Sequence, residues 1–399
     1  MTISLYNDKN ACCGCGACLA ACSSRCINMV RDEEGFDYPA IAFTRCIDCG
    51  KCEQVCPWKR FPKVSDRLLS PAVSAAWNLD EDIRRKSSSG GVFSAIARHV
   101  LARGGFVVGA ALTVDCAAVE HVVIDTDDKL HQLQCSKYVQ SSIKTSVFDD
   151  VKHALNASVP VLFSGCPCQV AGLRFFLERD YPDLFTIDLV CRGVPSPGWY
   201  KHYLKTVFKN KVTGVTFRDK DQGWRKIGIK LSLESGKTVK TRNSEYMLAF
   251  FKYYSLRRSC YTCPYACLER VGDVTLGDFW GIGKYYPRLD IDDKGVSLII
   301  TNTTKGQGLI AAIKSQVVMT EVSIESAVAG NSNLVKATEM PAQRKSFLQD
   351  SNLLPFSVLR KKYSLLPSPI WMRVGSVLKS AGRKMFSSCT NRFKHGKRR

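Results

Sequence analysis

Two runs of cysteine near the amino terminus carry the clearest chemical signal in the chain. Both have the spacing C-x2-C-x2-C-x3-C, and they begin at Cys12 and Cys46. Thiolates spaced in this way hold [4Fe-4S] clusters, because three of them surround one cubane and the fourth reaches its neighbour. The predicted ligands of the first cluster are Cys12, Cys15, Cys18 and Cys56. Those of the second cluster are Cys22, Cys46, Cys49 and Cys52.

A zinc site or a disulfide framework fits this spacing less well than iron–sulfur clusters do. Zinc sites use separated C-x2-C pairs, and disulfide frameworks belong to small secreted domains, whereas this chain has 399 residues. One departure is Ser23, which stands where a proline usually follows the fourth cysteine. Cys13 and Cys26 fall outside the eight ligands, and we interpret them as packed or spare thiols.

A third group of cysteines lies far along the chain. Cys168 and Cys191 each follow a predicted parallel strand, at the edge where ligands collect in open α/β sheets. Cys260 and Cys263 form a separate C-x2-C pair. These four thiols could hold one more cubane, or they could be buried and inert. Competitors for a ligand position are Cys166 and Cys267, while Cys116, Cys135 and Cys389 are interpreted as structural.

The elements that position these cysteines predict two folded parts and a tail. Residues 1–60 form an α+β ferredoxin-like module, and residues 61–71 form a linker. Strands alternating with helices then predict an α/β domain with a mainly parallel sheet over residues 72–345. Its best-defined unit is a strand at 159–164, a turn and a helix at 169–178. Residues 346–399 are predicted to be a basic, partly helical tail.

The charge distribution bears on partners and location. The net charge is +21, but no acidic residue follows Asp350, whereas twelve lysines and arginines do. A uniformly basic nucleic-acid binder would not show this pattern, so no specific nucleic-acid partner is predicted. In residues 370–386 apolar residues recur at helical spacing, and basic residues lie opposite them. This pattern fits a helix on an anionic membrane, a helix docked on a partner subunit, or a solvated tail. With no signal peptide and no membrane-spanning run, the predicted location is the cytoplasm, with peripheral contact at the inner membrane face.

Six motifs together resemble one family, the beta subunits of deazaflavin-coenzyme (F-420) hydrogenases and formate dehydrogenases with their bacterial and plant relatives. They occur in the family's order at 86–93, 136–141, 163–173, 188–197, 260–263 and 272–281. The resemblance implies FAD and a cluster held by Cys168, Cys191, Cys260 and Cys263. It implies flavin contacts from three segments, which contain Ser87, Ser88, Ser89, Gly90, Gly91, Ser136, Lys137, Tyr138, Gly277 and Asp278.

The serine–glycine loop is chemically suited to a flavin phosphate. Ser87 to Gly91 precede a predicted helix, whose first N–H groups and positive dipole end favour an anion. The same pattern is more often only a helix cap, and the chain has no G-x-G-x-x-G motif. Lys137 would add a cation beside the cofactor, unless it is an ordinary surface lysine.

Three residues depart from the pattern of the family that the chain resembles. Cys135 stands where glycine is usual, Cys166 where threonine is frequent, and Arg192 where histidine is common. Cys135 and Arg192 would lie near the flavin or the cluster. They therefore bear on substrate choice or reduction potential.

These features predict a flavin-dependent iron–sulfur oxidoreductase. Clusters carry one electron at a time and a flavin exchanges one or two, so the chain would join a one-electron partner protein or subunit to a small two-electron substrate. The alternative is an electron-transfer subunit without its own substrate that serves a partner enzyme, for example in polysaccharide biosynthesis. The sequence does not identify the substrate.

Overall fold

The computed structural model describes Leu5, residues 9–242 and residues 244–366. The predicted amphipathic helix at 370–386, and Cys389, lie outside the described residues. No helix in the described part of the chain is both long and apolar enough to cross a membrane.

The amino-terminal module contains two short helices and two short strands. They are α1 (Ala17–Ala20), β1 (Ile27–Arg31), β2 (Asp37–Ile41) and α2 (Lys51–Gln54). The strands pair antiparallel, with Ile27 opposite Ile41. Gly16 and Gly50 begin the helices at φ angles of 83° and 69°, where a side chain would be strained. The chain can therefore turn sharply within each cysteine run.

The remaining elements alternate along the chain. The strands are β3 (Arg67–Asn78), β4 (Phe106–Leu112), β5 (Val119–Ile124), β6 (Val161–Gly165), β7 (Leu184–Leu189), β8 (Val212–Asp219), β9 (Gly228–Leu233), β10 (Thr238–Arg242), β11 (Val274–Asp278), β12 (Ser297–Thr303) and β13 (Val317–Glu321). The helices are α3 (Glu81–Lys86), α4 (Val92–Ala102), α5 (Thr145–Asn156), α6 (Pro167–Leu177), α7 (Pro197–Val207), α8 (Glu245–Phe251), α9 (Ile282–Tyr285), α10 (Thr304–Ala312), α11 (Ile324–Gly330), α12 (Arg344–Leu353) and α13 (Phe356–Lys362).

Eight strands form one central sheet in the order β13-β3-β12-β11-β7-β6-β4-β5. The neighbours β4, β6, β7 and β11 are parallel, which agrees with the predicted parallel sheet. The outer pairings are antiparallel. Five of the eight strands consequently run in one direction, and the sheet is mixed at its flanks. The carboxyl ends of β6, β7 and β11 meet at one edge.

The central strands are buried, and β6 and β12 each contain a run of three apolar residues. Val161, Leu162 and Phe163 of β6 have no exposed surface. All seven residues of β12 are buried. Apolar runs of this kind are typical of strands covered on both faces.

A second sheet, β10-β9-β8, lies in the long connection between β7 and β11. With α7 and α8 it encloses a separate aromatic core around Trp199, Tyr203 and Tyr246. The segments 227–233 and 237–242, which flank the turn at Ser235-Gly236, predict a hairpin, and β9 and β10 form it. No pattern in the sequence predicts β8.

Two predicted boundaries differ from the structure. Strand β3 begins at Arg67, inside the predicted linker of residues 61–71, because it pairs with β12 as far as Thr303. The folded part continues beyond residue 345, where the tail was predicted to begin. Helices α12 and α13 bury Phe347 and Leu359 completely in the aromatic core, so residues 346–366 are helical in part, as predicted, but belong to the folded part.

The module docks against the larger part of the chain through buried ion pairs. Glu34 accepts hydrogen bonds from Arg344 of α12 at 2.7 and 2.9 Å and from Arg258 at 2.6 and 3.1 Å. Burial would raise the pKa of Glu34, but the two guanidinium groups outweigh it and hold the pKa at about 2. Glu34 is therefore ionised at neutral pH and fixes the module in place.

Candidate functional site

The four thiols predicted for the first cluster lie together beside α1. Burial, followed by the neighbouring Cys12 and Cys56 thiols, raises the pKa of Cys18. The pKa of Cys15 is raised as well, most strongly by its interaction with Cys13 and then by burial and the nearby Cys18 thiol. Thiols placed in this way keep their protons unless a cation compensates the thiolate charges. The donor set thus fits an iron–sulfur cluster.

Arg257 is the charged group closest to this first set. Its guanidinium is fully buried, donates to the Cys12 carbonyl at 2.7 Å and lies 3.4 Å from the Cys12 sulfur. It also lies over the Tyr38 ring, 4.0 Å from the centroid. A cation that donates to a ligand sulfur stabilises the reduced form of a cluster. No motif pointed to Arg257, which lies 245 residues from Cys12 in sequence.

The four thiols predicted for the second cluster line one pocket with an empty volume of about 300 Å³, part of it open to solvent. The predicted ligands in its lining are Cys22, Cys46, Cys49 and Cys52. Cys26 joins them, with its sulfur 3.4 Å from that of Cys22. The pocket therefore contains one thiol more than a cubane requires. Cys49 is exposed, which places this set at the surface.

The third set converges from three separate segments on a larger pocket of about 510 Å³, partly open to solvent. Cys168 lies at the start of α6, Cys191 follows β7, and Cys260 and Cys263 lie on a short 3-10 turn. The backbone N–H of Val194 donates to the Cys260 sulfur at 3.4 Å. Burial raises the pKa of Cys263 to about 12. These four thiols line one pocket, and thiols are the donor type that holds a cubane.

Two further thiols, Cys13 and Cys166, line the same pocket. Cys166 is the N-cap residue of α6, and its sulfur lies 3.7 Å from that of Cys191. Cys267, the other predicted competitor, donates instead to the Glu269 carbonyl at 3.3 Å. Of the two predicted competitors, only Cys166 therefore lies at the pocket.

Cys13 connects the module with this third pocket. Its thiol is buried, and interactions with Cys15 and Cys168, one from each predicted ligand set, are the main causes that lower its pKa. The chain neighbour of Cys13 is Cys12, a further predicted ligand of the first cluster. The first and third thiol sets are thus separated by a single side chain, although sequence analysis gave Cys13 no role.

The serine–glycine loop is anchored by its own hydroxyl groups. Ser87 donates to Ile83, Ser88 to Ser136 and Ser89 to Val296. Gly91, at φ 88°, begins α4 without a side-chain cap, which leaves the first N–H groups of an 11-residue helix to other partners. The backbone of this loop, rather than its hydroxyls, is the part suited to an anion.

The other predicted flavin contacts meet the loop around Arg218. Arg218 forms an ion pair with Asp278 at 2.9 Å and donates to the Ser88 carbonyl and the Tyr138 hydroxyl. Ser136 donates its backbone N–H to Ser88 at 2.6 Å. Gly277 packs tightly, since a Cβ there would lie 2.8 Å from Val190. One buried arginine therefore joins segments that are distant in the sequence.

Sequence reasoning missed Arg218 and three neighbours that complete the region. Trp224 donates to Asp278 at 2.7 Å and stacks on Trp280, with ring centroids 4.7 Å apart and ring planes 2° from parallel. Lys220 donates to three carbonyls, those of Arg84, Ser89 and Lys294. Arg218, Lys220 and Trp224 occur within seven residues, a cluster that could have been noticed in the sequence.

Two ammonium groups in this region have no carboxylate partner among the described residues. Burial lowers the pKa of Lys137 to about 7. Burial and the nearby Arg218 lower that of Lys220 to about 8. Lys137 donates to the carbonyls of Gln132 and Gln134, so it is not an ordinary surface lysine. Uncompensated positive charge beside an uncapped helix start fits an anionic cofactor such as a flavin dinucleotide.

The structure also explains the predicted departure at residue 135. Cys135 has a φ of 64°, in the region where glycine is favoured, and its sulfur donates to the Lys86 carbonyl at 2.8 Å. A glycine would adopt this backbone conformation without strain, which agrees with the glycine expected here from the family resemblance. The cysteine adds a link between the Lys137 segment and the loop.

His121 is the one histidine that the fold buries near these sites. Its ring stacks on Phe163, and Nε2 lies 3.1 Å from the Ser164 carbonyl oxygen. Burial lowers its pKa to about 4. His121 is therefore neutral at physiological pH.

Family models now define the class of the protein. A 4Fe-4S dicluster domain matches residues 11–59, so the module is of the iron–sulfur electron-transfer class. The amino- and carboxyl-terminal models of the coenzyme F420 hydrogenase/dehydrogenase beta subunit match residues 73–147 and 160–327. The chain belongs to the coenzyme F420 hydrogenase/dehydrogenase beta subunit family, with a fused dicluster domain.

Individual relatives are distant. A coenzyme F420-dependent sulfite reductase from Methanocaldococcus jannaschii is 22% identical over 316 residues, which are 77% of this chain and 46% of that protein. The chain thus spans about half the length of this relative. A chain of the F420-reducing [NiFe] hydrogenase complex from Methanosarcina barkeri is 16% identical, with 68% of this chain and 91% of that chain covered and a TM-score of 0.46.

Proposed function

We propose that the protein is an iron–sulfur flavoprotein oxidoreductase with three [4Fe-4S] clusters and one FAD. The observation that carries this proposal is the convergence of Cys168, Cys191, Cys260 and Cys263 on one pocket, next to Cys13 of the dicluster module. These four thiols come from three segments, and none of them forms a disulfide. Disulfide bonding therefore does not explain why they meet at this pocket. Family membership supports the oxidoreductase class.

The residues proposed to hold each cofactor follow from the site. The twelve cysteines of the three sets supply the thiolates. Lys137, Lys220 and the start of α4 supply positive charge for the flavin phosphates, and Arg218 holds the surrounding segments together. When bound, the clusters would carry single electrons, and the flavin would exchange electrons singly or in pairs. The chain would thereby couple one-electron and two-electron partners.

The order of the sets supports a linear path through the protein. The second set is at the surface, where Cys49 is exposed. The first set is buried beside it, since the Cys52 thiol contributes to the raised pKa of Cys18. Cys13 then links the first set with the third. Asn331 donates to the Asp278 carbonyl, and Asn333 lines the third pocket, so the third set and the proposed flavin region share one neighbouring segment.

An anaerobic preparation tests this proposal directly. We expect about twelve irons, about twelve sulfides and one FAD per chain, and reduction of all of them by a viologen radical. Zinc in place of iron, or iron without flavin, would contradict the proposal. A spectrum at low temperature after partial reduction should resolve separate paramagnetic signals for the three clusters.

The proposed two-electron substrate has to be found by screening. Candidates are the deazaflavin coenzyme, nicotinamide cofactors and unsaturated or oxidised small molecules. Consumption of one of them by the isolated, reduced protein would support an enzyme with its own substrate. If the reduced flavin reoxidises only in the presence of a partner protein, the chain is an electron-transfer subunit instead.

A further inference from the structure

The surface around the second set of thiols has an unusual charge pattern. Arg25, Arg45 and Lys51 are exposed, and each lies next to or within the lining of the pocket that contains Cys49. None of these three basic groups takes part in an ion pair among the described residues. Asp48 is the one nearby acidic residue that is likewise unpaired there. The rim of this pocket therefore carries net positive charge.

Each of the other acidic residues between Arg25 and Lys51 has a basic partner. Asp32 and Glu33 pair with Lys9, Glu34 with Arg344, and Asp37 with Arg31. Within residues 25–51, all of which the structure describes, the basic groups without a carboxylate partner are therefore those at this pocket.

Apolar side chains accompany the basic rim. Phe43 is 58% exposed and Ile47 is 66% exposed, and Ile47 lines the pocket beside Cys49. Large apolar residues at such exposure within a charged rim are typical of protein interfaces. The same surface holds the exposed thiol of the set, so electrons could enter the proposed relay here over a short distance.

We propose that this surface is the docking site of a small one-electron carrier protein with an acidic docking face, such as a two-cluster ferredoxin of negative net charge. The inference rests on the proposed function, because it assigns the second cluster as the port of the relay. Charge complementarity favours an acidic partner. The position of Cys49 favours a carrier of electrons over an acidic protein of another kind.

The test compares two triple variants of the full-length, cluster-loaded protein. One reverses the rim with Arg25→Glu, Arg45→Glu and Lys51→Glu. The matched control reverses three exposed lysines near the second sheet with Lys209→Glu, Lys211→Glu and Lys237→Glu. Both change the net charge equally, so a difference between them reports position rather than total charge. Stopped-flow reduction is measured with a reduced acidic two-cluster ferredoxin and, separately, with methyl viologen.

We expect the rim variant to be reduced by the ferredoxin about tenfold or more slowly than the wild type at low salt. Rising ionic strength should slow the wild type and the control but have little effect on the rim variant. Viologen should reduce all three at the same rate. Equal ferredoxin rates for the rim and control variants would overturn the docking site. A wild type that viologen reduces but ferredoxin does not would overturn it as well, while leaving the proposed function intact.

Discussion

At the scale of single residues, position in the fold separates cysteines that the sequence presents alike. Cys191 and Cys267 were both candidates for the third set, yet Cys191 lines the pocket and Cys267 points to the Glu269 carbonyl. The runs that begin at Cys12 and Cys46 could be recognised in the sequence, because three of the four ligands of each predicted cluster lie within one short run. The third set depends on strand order, which spacing does not encode.

The first prediction concerns Cys191 and Cys267. Cys191→Ala should remove one cluster, lowering the iron content from about twelve to about eight per chain, because three thiolates hold a cubane weakly. Cys267→Ala should leave the iron content unchanged. Both are measured by iron and sulfide analysis of anaerobically purified protein. Loss of a cluster in the Cys267 variant would contradict the assignment.

The second prediction concerns the charge of Lys137. Its pKa in the folded, flavin-free protein is lowered to about 7, so the ammonium form is present below that pH and disappears above it. If the ammonium attracts the flavin phosphates, binding is coupled to proton uptake. The dissociation constant for FAD should then rise with pH above 7, by up to about tenfold per pH unit.

Fluorescence titration of flavin-free protein from pH 6 to pH 9 provides the measurement. Lys137→Met should bind FAD weakly with little pH dependence. The control Lys129→Met removes an exposed lysine that is paired with Asp125, and it should keep the slope of the wild type. A slope that survives in the Lys137 variant would assign the pH dependence to another group.

Arg218 illustrates what a sequence cannot supply at this scale. It is 130 residues from Ser88 and 60 residues from Asp278, and a single arginine in a strand has no distinctive spacing. Its role appears only when β8 lies beside the loop and the end of β11. Lys137, by contrast, was named from the family resemblance, but its burial was not foreseen.

At the scale of elements, the parallel centre of the sheet was predicted because each strand is a buried apolar run followed by a helix. β8 and β13 were missed for a physical reason. Both lie at sheet edges, and their burial is intermittent, so their sequences lack a strong apolar pattern.

The third prediction concerns the loop that precedes α4. Gly90 is wedged between β3 and β12, where a Cβ would fall against the Ala76 carbonyl oxygen and 2.9 Å from the Ser297 nitrogen. Gly90→Ala should therefore destabilise the protein by about 2 kcal/mol and reduce its FAD content, because the start of α4 must shift. Denaturant unfolding and flavin content are the two measurements.

A matched glycine lies on the surface of α10. At Gly308 an added Cβ meets no atom within 4 Å, and alanine is favoured over glycine inside a helix. Gly308→Ala should keep its flavin and gain up to about 1 kcal/mol of stability. Equal loss of flavin in both variants would show that the loop has no special part in binding.

At the scale of the whole molecule, the carboxyl-terminal helices hold the dicluster module to the rest of the chain. The sequence suggested a tail from residue 346 because basic residues dominate there. It did not reveal that Phe347, Leu359 and Leu365 are buried, because exposed apolar residues such as Leu353 and Val358 lie among them in the sequence. The module's docking through Glu34 and Arg344 was also beyond sequence reasoning, because the two residues are 310 positions apart.

The fourth prediction tests that docking. Glu34→Gln leaves the buried Arg344 guanidinium without its counter-charge and should cost about 3 kcal/mol of unfolding free energy at pH 7. Glu33→Gln removes a carboxylate that is 66% exposed and paired with Lys9, and it should cost less than about 1 kcal/mol.

The pH dependence of this effect has a defined sign. The pKa of Glu34 is depressed from 4.5 to about 2, so its contribution is complete above pH 4.5 and is lost only as the pH falls towards 2. The stability difference between wild type and Glu34→Gln should accordingly be constant from pH 5 to pH 8. A difference that shrinks within this range would point to a partner that titrates there.

Cys13 and Trp58 form part of the wall of the third pocket. Their position has a consequence for the order in which the proposed clusters are assembled. Both residues leave the ribosome before Cys260 and Cys263, so the proposed third cluster cannot be enclosed until the chain has been made as far as Cys263. The cysteines of the proposed second cluster all lie within residues 22–52. Iron incorporation into the third cluster should then lag behind that into the second in a pulse-labelled cell.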